Sequence, residues 1–392
     1  MPVRPKVYNR GMIHSLTVRN FKSIKNLECT FPQFAAIVGM NAAGKTNILQ
    51  SIAVLKELVA GDPVDPVLGK IILVPAEIFN KDTTDKVSVI GIELHDDESR
   101  FYLEVSIRLI NGNVPANFVI GHEKLEIIGD DKRVLVYERK ENHQIEDGNG
   151  NTMPISADPK KLFVALFNSP EASTVRQIFQ KIQIPDPQLM DSRDTIVGAS
   201  EKNLAGLLIE LKHNSPQIYT EFEKVAKKLL PNFSSISETA ATRTEPTNSP
   251  PSEEHYLILF EEKHLRGQLS VKLLSAGDVR TLYIMAVVIG MAPKGTLILE
   301  EIENGIHQKR IEEIMEHLRH LSHVKEIQII FTTHSERVIN RLAPQEVLYV
   351  EKDLAKGTSL KALSEVGELS YIQEVLNKGG KLSDLLSVNL GK

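Results

Sequence analysis

The chain has 392 residues, of which 42% are hydrophobic and 25% charged, and its formal net charge is −5. That length allows a sizeable core divided among roughly two or three subdomains, and the charge excludes a global basic field that would draw the chain to nucleic acid. The single cysteine, Cys29, excludes an intramolecular disulfide and any metal site built on several thiolates, while no apolar run reaches the roughly 20 residues of a membrane span.

Before the first acid, Glu28, the chain carries several Arg and Lys, which superficially suits a transit peptide. Residues 12–18, MIHSLTV, nevertheless alternate like a strand, and NFKSIKNLE leads directly onward. Residues 12–31 therefore predict two strands joined at 20–23, and a cytoplasmic protein without a membrane partner is expected. Cys29 reads as an inert residue of a sheet or core. FAAIV, residues 34–38, predicts a short buried strand, and NILQSIAVLKELV, residues 47–59, has apolar residues at helical spacing. From 87 to 137, four stretches of period two are separated by HDDES, NGNVP and GDDK, which predicts an antiparallel meander. Residues 145–154 read as a turn or hairpin tip.

Helices are expected over 160–167 and 172–182, and two more over 200–230, the second opened by Pro216. No heptad pattern runs far enough for a coiled-coil arm. Residues 237–254, rich in Ser, Thr, Pro and Glu, predict an exposed linker. HYLILFEEK then reads as a strand, followed by an apolar helix within SVKLLSAGDVRTLYIMAVVIGMA and the strand GTLILEE. A helix over about 308–321, the strand IQIIFTTHS, a short helix, the strand EVLYVEKD and a mixed tail complete the chain. Strands alternating with helices predict an α/β core. The expected domains are 1–155, holding the loop and meander; 156–236, a helical insertion; 237–254, the linker; and 255–392, a second lobe.

Between the strand and helix at 34–59 lies GMNAAGKT, residues 39–46, which fits G-x-x-x-x-G-K-[ST] in the context that this phosphate-binding loop requires. Gly39 and Gly44 let backbone N–H groups turn toward phosphate oxygens. Lys45 reaches the β- and γ-phosphates, Thr46 offers a hydroxyl to Mg²⁺, and the helix N-terminus favours the anion. TLILEEIEN, residues 296–304, is an apolar strand ending in paired carboxylates. In phosphate-loop ATPases such a strand lies beside the loop, which assigns Glu300 to the metal and Glu301 to the attacking water. In isolation the pair reads better as a solvated acidic turn, since acidic strand ends are common; the phosphate loop elsewhere in the chain reverses that preference. LLSAGDVRTL, residues 273–282, opens an apolar helix with small residues whose N–H groups can meet an anion, or is an ordinary N-cap. In IIFTTHS, residues 329–335, a His just past a buried strand can contact a γ-phosphate, or is a surface His.

Together, in this order, these elements resemble an ABC-type ATPase head of the RecF/SMC/OLD branch. NFKSIKNLECTF resembles its opening strand and turn, GMNAAGKTNILQSI its phosphate loop, and LSAGDVRTL its LS-x-G signature. ILEEIENGIHQ resembles the strand and following loop usually written DE-P-E-x-x-L-H-P, and FTTHSERVI the His loop. The fold so implied is an α/β ABC-type P-loop ATPase head, with an antiparallel meander in its first lobe and a short helical insertion. The resemblance implies that Gly39, Asn41, Gly44, Lys45, Thr46 and Asn47 bind ATP and Mg²⁺, with Thr46 and Glu300 at the metal, and that Lys22 and Ser23 touch base or sugar. It also implies that Ser275 and Gly277 contact the γ-phosphate held by a partner subunit, that Glu301 activates water, that Asn304 lies in the loop crossing the dimer, and that His334 contacts the γ-phosphate. Lys45, Glu301 and His334 are thus the expected catalytic set, in a head-to-tail homodimer, or a higher oligomer, closed by ATP.

Three departures stand out. Glu300 replaces the usual Asp, which predicts slow hydrolysis; Ile302 replaces the usual Pro; and no Gln occurs between Gln50 and Gln144, leaving Glu77 as a poor stand-in for the Gln of the loop that joins the lobes. A head without arm or second catalytic domain resembles the small stand-alone AAA-type ATPases of bacterial anti-phage defence, and implies a switch acting on a separate effector, a nuclease or toxin. LYVEKD, residues 348–353, superficially fits the start of a TOPRIM nuclease domain, but no Asp-x-Asp follows, so no intrinsic nuclease is expected. The alternative is a RecF-like DNA-binding repair ATPase using Lys212, Lys224, Lys227 and Lys228, and a transporter motor is a third reading that the meander and insertion oppose.

Overall fold

The structure is a computed structural model that describes residues 12–111, 117–153, 155, 157–194, 196–198, 201–241, 255–264, 267–353, 357–363 and 369–390. Most of the NGNVP turn, and 242–254 of the expected linker, lie outside these residues.

In chain order, β1 (Met12–Phe21) and β2 (Ile24–Thr30) form a hairpin, and β3 (Phe34–Gly39) runs into α1 (Lys45–Val59). After α2 (Val64–Gly69) comes the meander of β4 (Val87–His95), β5 (Arg100–Asn111), β6 (Asn117–Ile128), β7 (Arg133–Arg139) and β8 (Ile145–Asp147). Then follow α3 (Pro170–Gln180), β9 (Ile182–Gln183), α4 (Pro187–Met190), β10 (Ile196–Gly198), α5 (Leu204–Asn214), α6 (Pro216–Leu229), β11 (Phe233–Ala241), β12 (His255–Glu262) and β13 (Gln268–Ser270). The remaining elements are α7 (Ala276–Gly290), β14 (Thr296–Leu299), α8 (Gln308–Val324), β15 (Gln328–Thr333), α9 (Glu336–Ile339), β16 (Val347–Asp353), β17 (Gly357–Ala362) and two helices, Leu369–Asn377 and Leu382–Leu390.

The chain divides into two compact units, one of Met1–Ile184, Lys294–Glu300 and Glu326–Lys392, the other of Pro185–Pro293 and Glu301–Lys325. This division cuts across the boundaries expected from sequence, for a topological reason. β9 pairs with β14, while β15 and β16 flank β3, so segments far apart in sequence share one sheet.

The first unit has two sheets. One is antiparallel, in the order β2-β1-β4-β5-β6-β7-β8, and includes the expected meander. Alternate residues Ile90, Ile92 and Leu94 of β4 are fully buried, as period two requires of a sheet with one covered face. The other sheet has the order β17-β16-β3-β15-β14-β9, parallel except for β17. Its central strand β3 is buried at every position, the continuous apolar pattern of a parallel strand. Ile48, Ile52, Leu55 and Leu58 line one face of α1 and join the same core cluster as Ile90, Ile92, Leu103 and Ile107 of the meander. Each such side chain stabilises the fold by about 1.5–3 kcal/mol.

Gln328, fully buried at the start of β15, links the two sheets. Its Oε1 accepts from the Ile13 N–H at 3.0 Å and the Thr296 hydroxyl at 3.1 Å, and its Nε2 donates to the carbonyls of Ile13 at 2.8 Å and Pro32 at 3.3 Å.

The expected helix over 160–167 is instead a series of turns and bends. Two of the backbone groups that a helix over 160–167 would pair, the Val164 N–H and the Lys161 carbonyl, are taken by side chains of the meander. The buried Glu123 carboxylate accepts from the N–H groups of Phe163 at 2.6 Å and Val164 at 2.8 Å, and from the Tyr137 hydroxyl at 2.5 Å. Arg139 donates to the carbonyls of Lys161 at 2.8 Å and Asp158 at 3.0 Å. Helical propensity over so short a stretch cannot compete with buried, charge-assisted bonds.

In the second unit, α5, α6, α7 and α8 accompany an antiparallel sheet of order β10-β12-β11, with β13 also on β12. Residues 237–241, expected to begin the linker, are in β11, where Ser237 pairs with Leu259 and Ala241 with His255. Polar composition misled there because the strand faces water on one side. α7 is buried nearly all round, from Gly277 to Ile289, which marks a central helix rather than a surface one.

Candidate functional site

The expected site residues fall into one group in each unit. In the first unit, β3 ends at Gly39 and α1 starts at Lys45, so residues 40–44 form the connecting loop. Two of its residues are left-handed, Ala42 at φ 62° and Gly44 at φ 107°. Glycine is required at 44 on a second ground: an added Cβ would lie 2.5 Å from Thr358 Oγ1 and 2.7 Å from Ser23 Oγ. At Gly39 it would lie 2.5 Å from the Val350 carbonyl oxygen of the neighbouring strand β16. Lys45 is buried and folds over the loop, its Nζ donating to the carbonyls of Gly39 at 2.7 Å and Met40 at 2.9 Å. Asn41 and Thr46 are exposed.

The strand bearing Glu300 is not hydrogen-bonded to the loop strand, because β15 lies between β14 and β3. Even so, the Thr46 hydroxyl donates to the Glu300 carboxylate. A hydroxyl and a carboxylate meeting at the first turn of α1 are the oxygen donor pair that suits Mg²⁺, so these residues fit the ion. His334 directly follows β15, whose Thr333 pairs with Val38, and it is exposed at the loop end of the sheet.

Ser23 and Asn47 support the loop from behind. The Asn47 amide donates to Ser23 Oγ at 2.7 Å, and Ser23 Oγ lies 2.8 Å from Thr358 Oγ1. Thr358 also donates to the Ala43 carbonyl at 2.9 Å. Lys22, in left-handed conformation at φ 50°, donates to Gln50 Oε1 at 2.7 Å and to the Ile71 carbonyl at 2.9 Å. Burial lowers the pKa of its ammonium, and Glu77 partly opposes this. Lys22, Ser23, Asn47, Phe79 and Lys352 line a cavity of about 550 Å³, within the range of small-molecule sites. Glu77 also lines it, but its carboxylate accepts from the N–H groups of Leu73 and Val74, both at 3.3 Å, and so fixes its own turn.

The second unit holds Ser275, Gly277, Glu301 and Asn304. Ser275 caps α7: its Oγ accepts from the Asp278 N–H at 3.1 Å and donates to the Asp278 carboxylate at 2.7 Å. Asp278 is in turn ion-paired with Arg310. Gly277 packs on the turn that follows β14, where a Cβ would meet the Gly305 carbonyl oxygen at 2.6 Å. Glu301 is left-handed at φ 46°, and its carbonyl accepts from the Asn304 N–H at 2.9 Å and from Arg280 Nη2 at 3.0 Å. Ile302, in place of the usual Pro, is fully buried. A proline there would press the preceding residue toward extended backbone, and Glu301 is not extended.

Thr358 and Arg280 were not singled out from sequence. Thr358 belongs to no motif and lies far along the chain from the loop that it braces. Arg280 had a usable signal: it is the one Arg or Lys in the run AGDVRTLYIMAVVIG, and a buried charge on an apolar helix demands partners.

With this geometry in hand, comparison with protein families shows that the family described as "AAA domain, putative AbiEii toxin, Type IV TA system" matches residues 34–340. The chain belongs to that AAA-domain ATPase family. No curated protein matches it. Among solved structures, this AAA-domain chain is similar to an Smc head bound to the C-terminal winged-helix domain of ScpA, with TM-score 0.56, 14% identity, 90% of this chain and 98% of that one covered. It is likewise similar to the Pyrococcus furiosus Smc head with an extended coiled coil, bound to the C-terminal domain of ScpA, with TM-score 0.54, 13% identity, and 93% and 99% covered. The expected fold is thereby shown: an α/β P-loop ATPase head that shares its fold with Smc heads. No helix among the described residues is long and apolar enough to cross a membrane.

Proposed function

We propose that this AAA-domain chain binds ATP with Mg²⁺, closes on it as a head-to-tail homodimer, hydrolyses it, and thereby switches a separate effector in bacterial anti-phage defence. The observation that carries the reading is the loop itself: buried Lys45 curls over left-handed residues while Thr46 meets Glu300. Lys45 exchanges its two loop carbonyls for β- and γ-phosphate oxygens. Thr46 and Glu300 hold Mg²⁺, which when bound neutralises charge developing on those oxygens. Asn41 and the loop N–H groups bind phosphate, His334 orients the γ-phosphate, and Glu301 takes a proton from the attacking water. Lys22 and the adjoining cavity receive the nucleoside, with Ser23 and Asn47 holding the loop in shape. Exposed Ser275, the adjacent Gly277 and Asn304 serve the nucleotide of the partner subunit. Glu300 in place of Asp makes turnover slow.

The family description, "putative AbiEii toxin, Type IV TA system", supports a toxin–antitoxin setting with a partner protein, and the effector proposed here is a separate toxin or nuclease. DNA binding is the less favoured reading. Lys212, one of its four lysines, is ion-paired with Glu238 at 3.4 Å. A mixture of Lys45→Ala and Ser275→Arg proteins tests the dimer. It should recover about a quarter of wild-type turnover at random pairing, because only mixed dimers hold one intact composite site; no recovery, with concentration-independent wild-type turnover, refutes it. The Glu301→Gln form, trapped with ATP, tests the role: a co-purifying toxin or nuclease supports the switch, and DNA alone supports the alternative.

A further inference from the structure

β1 carries a bulge opposite β4. Ile13 pairs with Leu94 and Ser15 with Glu93, so His14 is the extra residue. A bulge re-aims the side chain that it carries. Here the His14 ring is turned onto the ring of His95, with centroids 4.3 Å apart and planes inclined by 15°. Glu93 and His95, two apart on β4, share a face, and Glu93 Oε1 lies 2.8 Å from His95 Nε2. One ligand atom from each of the three residues lies within 4.8 Å of the other two.

Packing alone does not account for this arrangement. A stacked pair of imidazoles fills space no better than two aliphatic side chains, and His95 is nearly fully buried at 5% exposure. Arg100, which faces His95 from β5, directs its guanidinium to the Gly129 carbonyl at 2.9 Å and Asp130 at 3.3 Å. The hydroxyl of Ser15 reaches the second oxygen of Glu93 at 3.4 Å. Two imidazoles and one carboxylate are a recurrent donor set for zinc with open positions left for water. Hard Mg²⁺ instead prefers oxygen alone, so the trio is chemically distinct from the nucleotide site.

We propose that His14, Glu93 and His95 form a binding site for a borderline transition-metal dication, of which Zn²⁺ is the reference case, and that the ion ties β1 to β4. The two rings converge on it by rotation about their Cβ–Cγ bonds. His14 is only half buried and has room to turn.

The test uses the full chain, stripped with chelator, desalted, free of nucleotide, and titrated with ZnCl₂ by calorimetry. One Zn²⁺ per chain is expected, with a rise in melting temperature. The His14→Ala and Glu93→Gln forms should bind at least about tenfold more weakly and lose that rise, while Lys45→Ala binds as wild type. Co²⁺ in the wild-type chain should give the visible d–d bands of a low-coordinate nitrogen–oxygen site, a readout that needs no variant to fold. No uptake by the wild type, or equal uptake by a folded His14→Ala form, overturns the proposal.

Discussion

The guanidinium of Arg280, in α7, donates to the backbone carbonyl of Glu301 at 3.0 Å. One side chain thus joins the helix that offers Ser275 to the residue proposed as base. It holds that residue in a left-handed conformation that a non-glycine side chain adopts only when its surroundings impose it. Asp191, 3.7 Å away, supplies a counter-charge.

Arg280→Lys keeps the charge but shortens the reach. Turnover is expected to fall up to about 100-fold, the cost of an ångström-scale misplacement of a catalytic group, with nucleotide affinity little changed. Steady-state kinetics beside equilibrium binding of a fluorescent ATP analogue would separate the two. A parallel loss of affinity would show that Arg280 serves the fold rather than Glu301.

Thr358→Val removes the hydroxyl that ties the phosphate loop to β17 while keeping the shape of the side chain. Losing the bonds to Ala43 and Ser23 should cost about 1–3 kcal/mol. The expected outcome is opposite in kind to that for Arg280: nucleotide binding weakens roughly tenfold or more, while turnover at saturation holds. Unchanged affinity would mean that the loop keeps its form without the brace.

His317, on α8, has its pKa lowered by burial first and by Lys228 and His320 next, and its buried Nε2 has no hydrogen-bond partner among the described residues. Above its ordinary value of 6.5 the ring is neutral in both folded and unfolded chains. As pH falls below that value, the unfolded chain takes up the proton first, so stability declines. Denaturant midpoints measured from pH 7.5 down to about 5 should fall, and His317→Gln should flatten part of that slope. An identical slope in the variant would remove His317 from the account.

The sequence made legible what depends on short-range pattern. The buried run at 34–38, the loop GMNAAGKT and the alternation through the meander all lie where they were read, because period and glycine chemistry are local. Cys29 is buried with its thiol pushed well up in pKa, as an inert core residue should be. Long-range partners stayed out of sight. Residues 160–167 have helical spacing, but Glu123 and Arg139 capture their backbone. Residues 237–241 have the composition of a linker, but β12 supplies a ladder. The placing of β15 between β14 and β3, and of Thr358 behind the loop, follows from chain crossings that no single stretch records.

Gln328 has a consequence for how far the first unit can flex. Its carboxamide engages both Ile13 backbone groups, Pro32 and Thr296 simultaneously, so rotating the amide by half a turn would set like against like at the Ile13 and Pro32 contacts. The meander and the ATPase sheet are therefore pinned at one register near the start of β1, at the opposite end of β15 from His334. Sliding one layer over the other would break these four hydrogen bonds at once and leave a buried carboxamide unpaired.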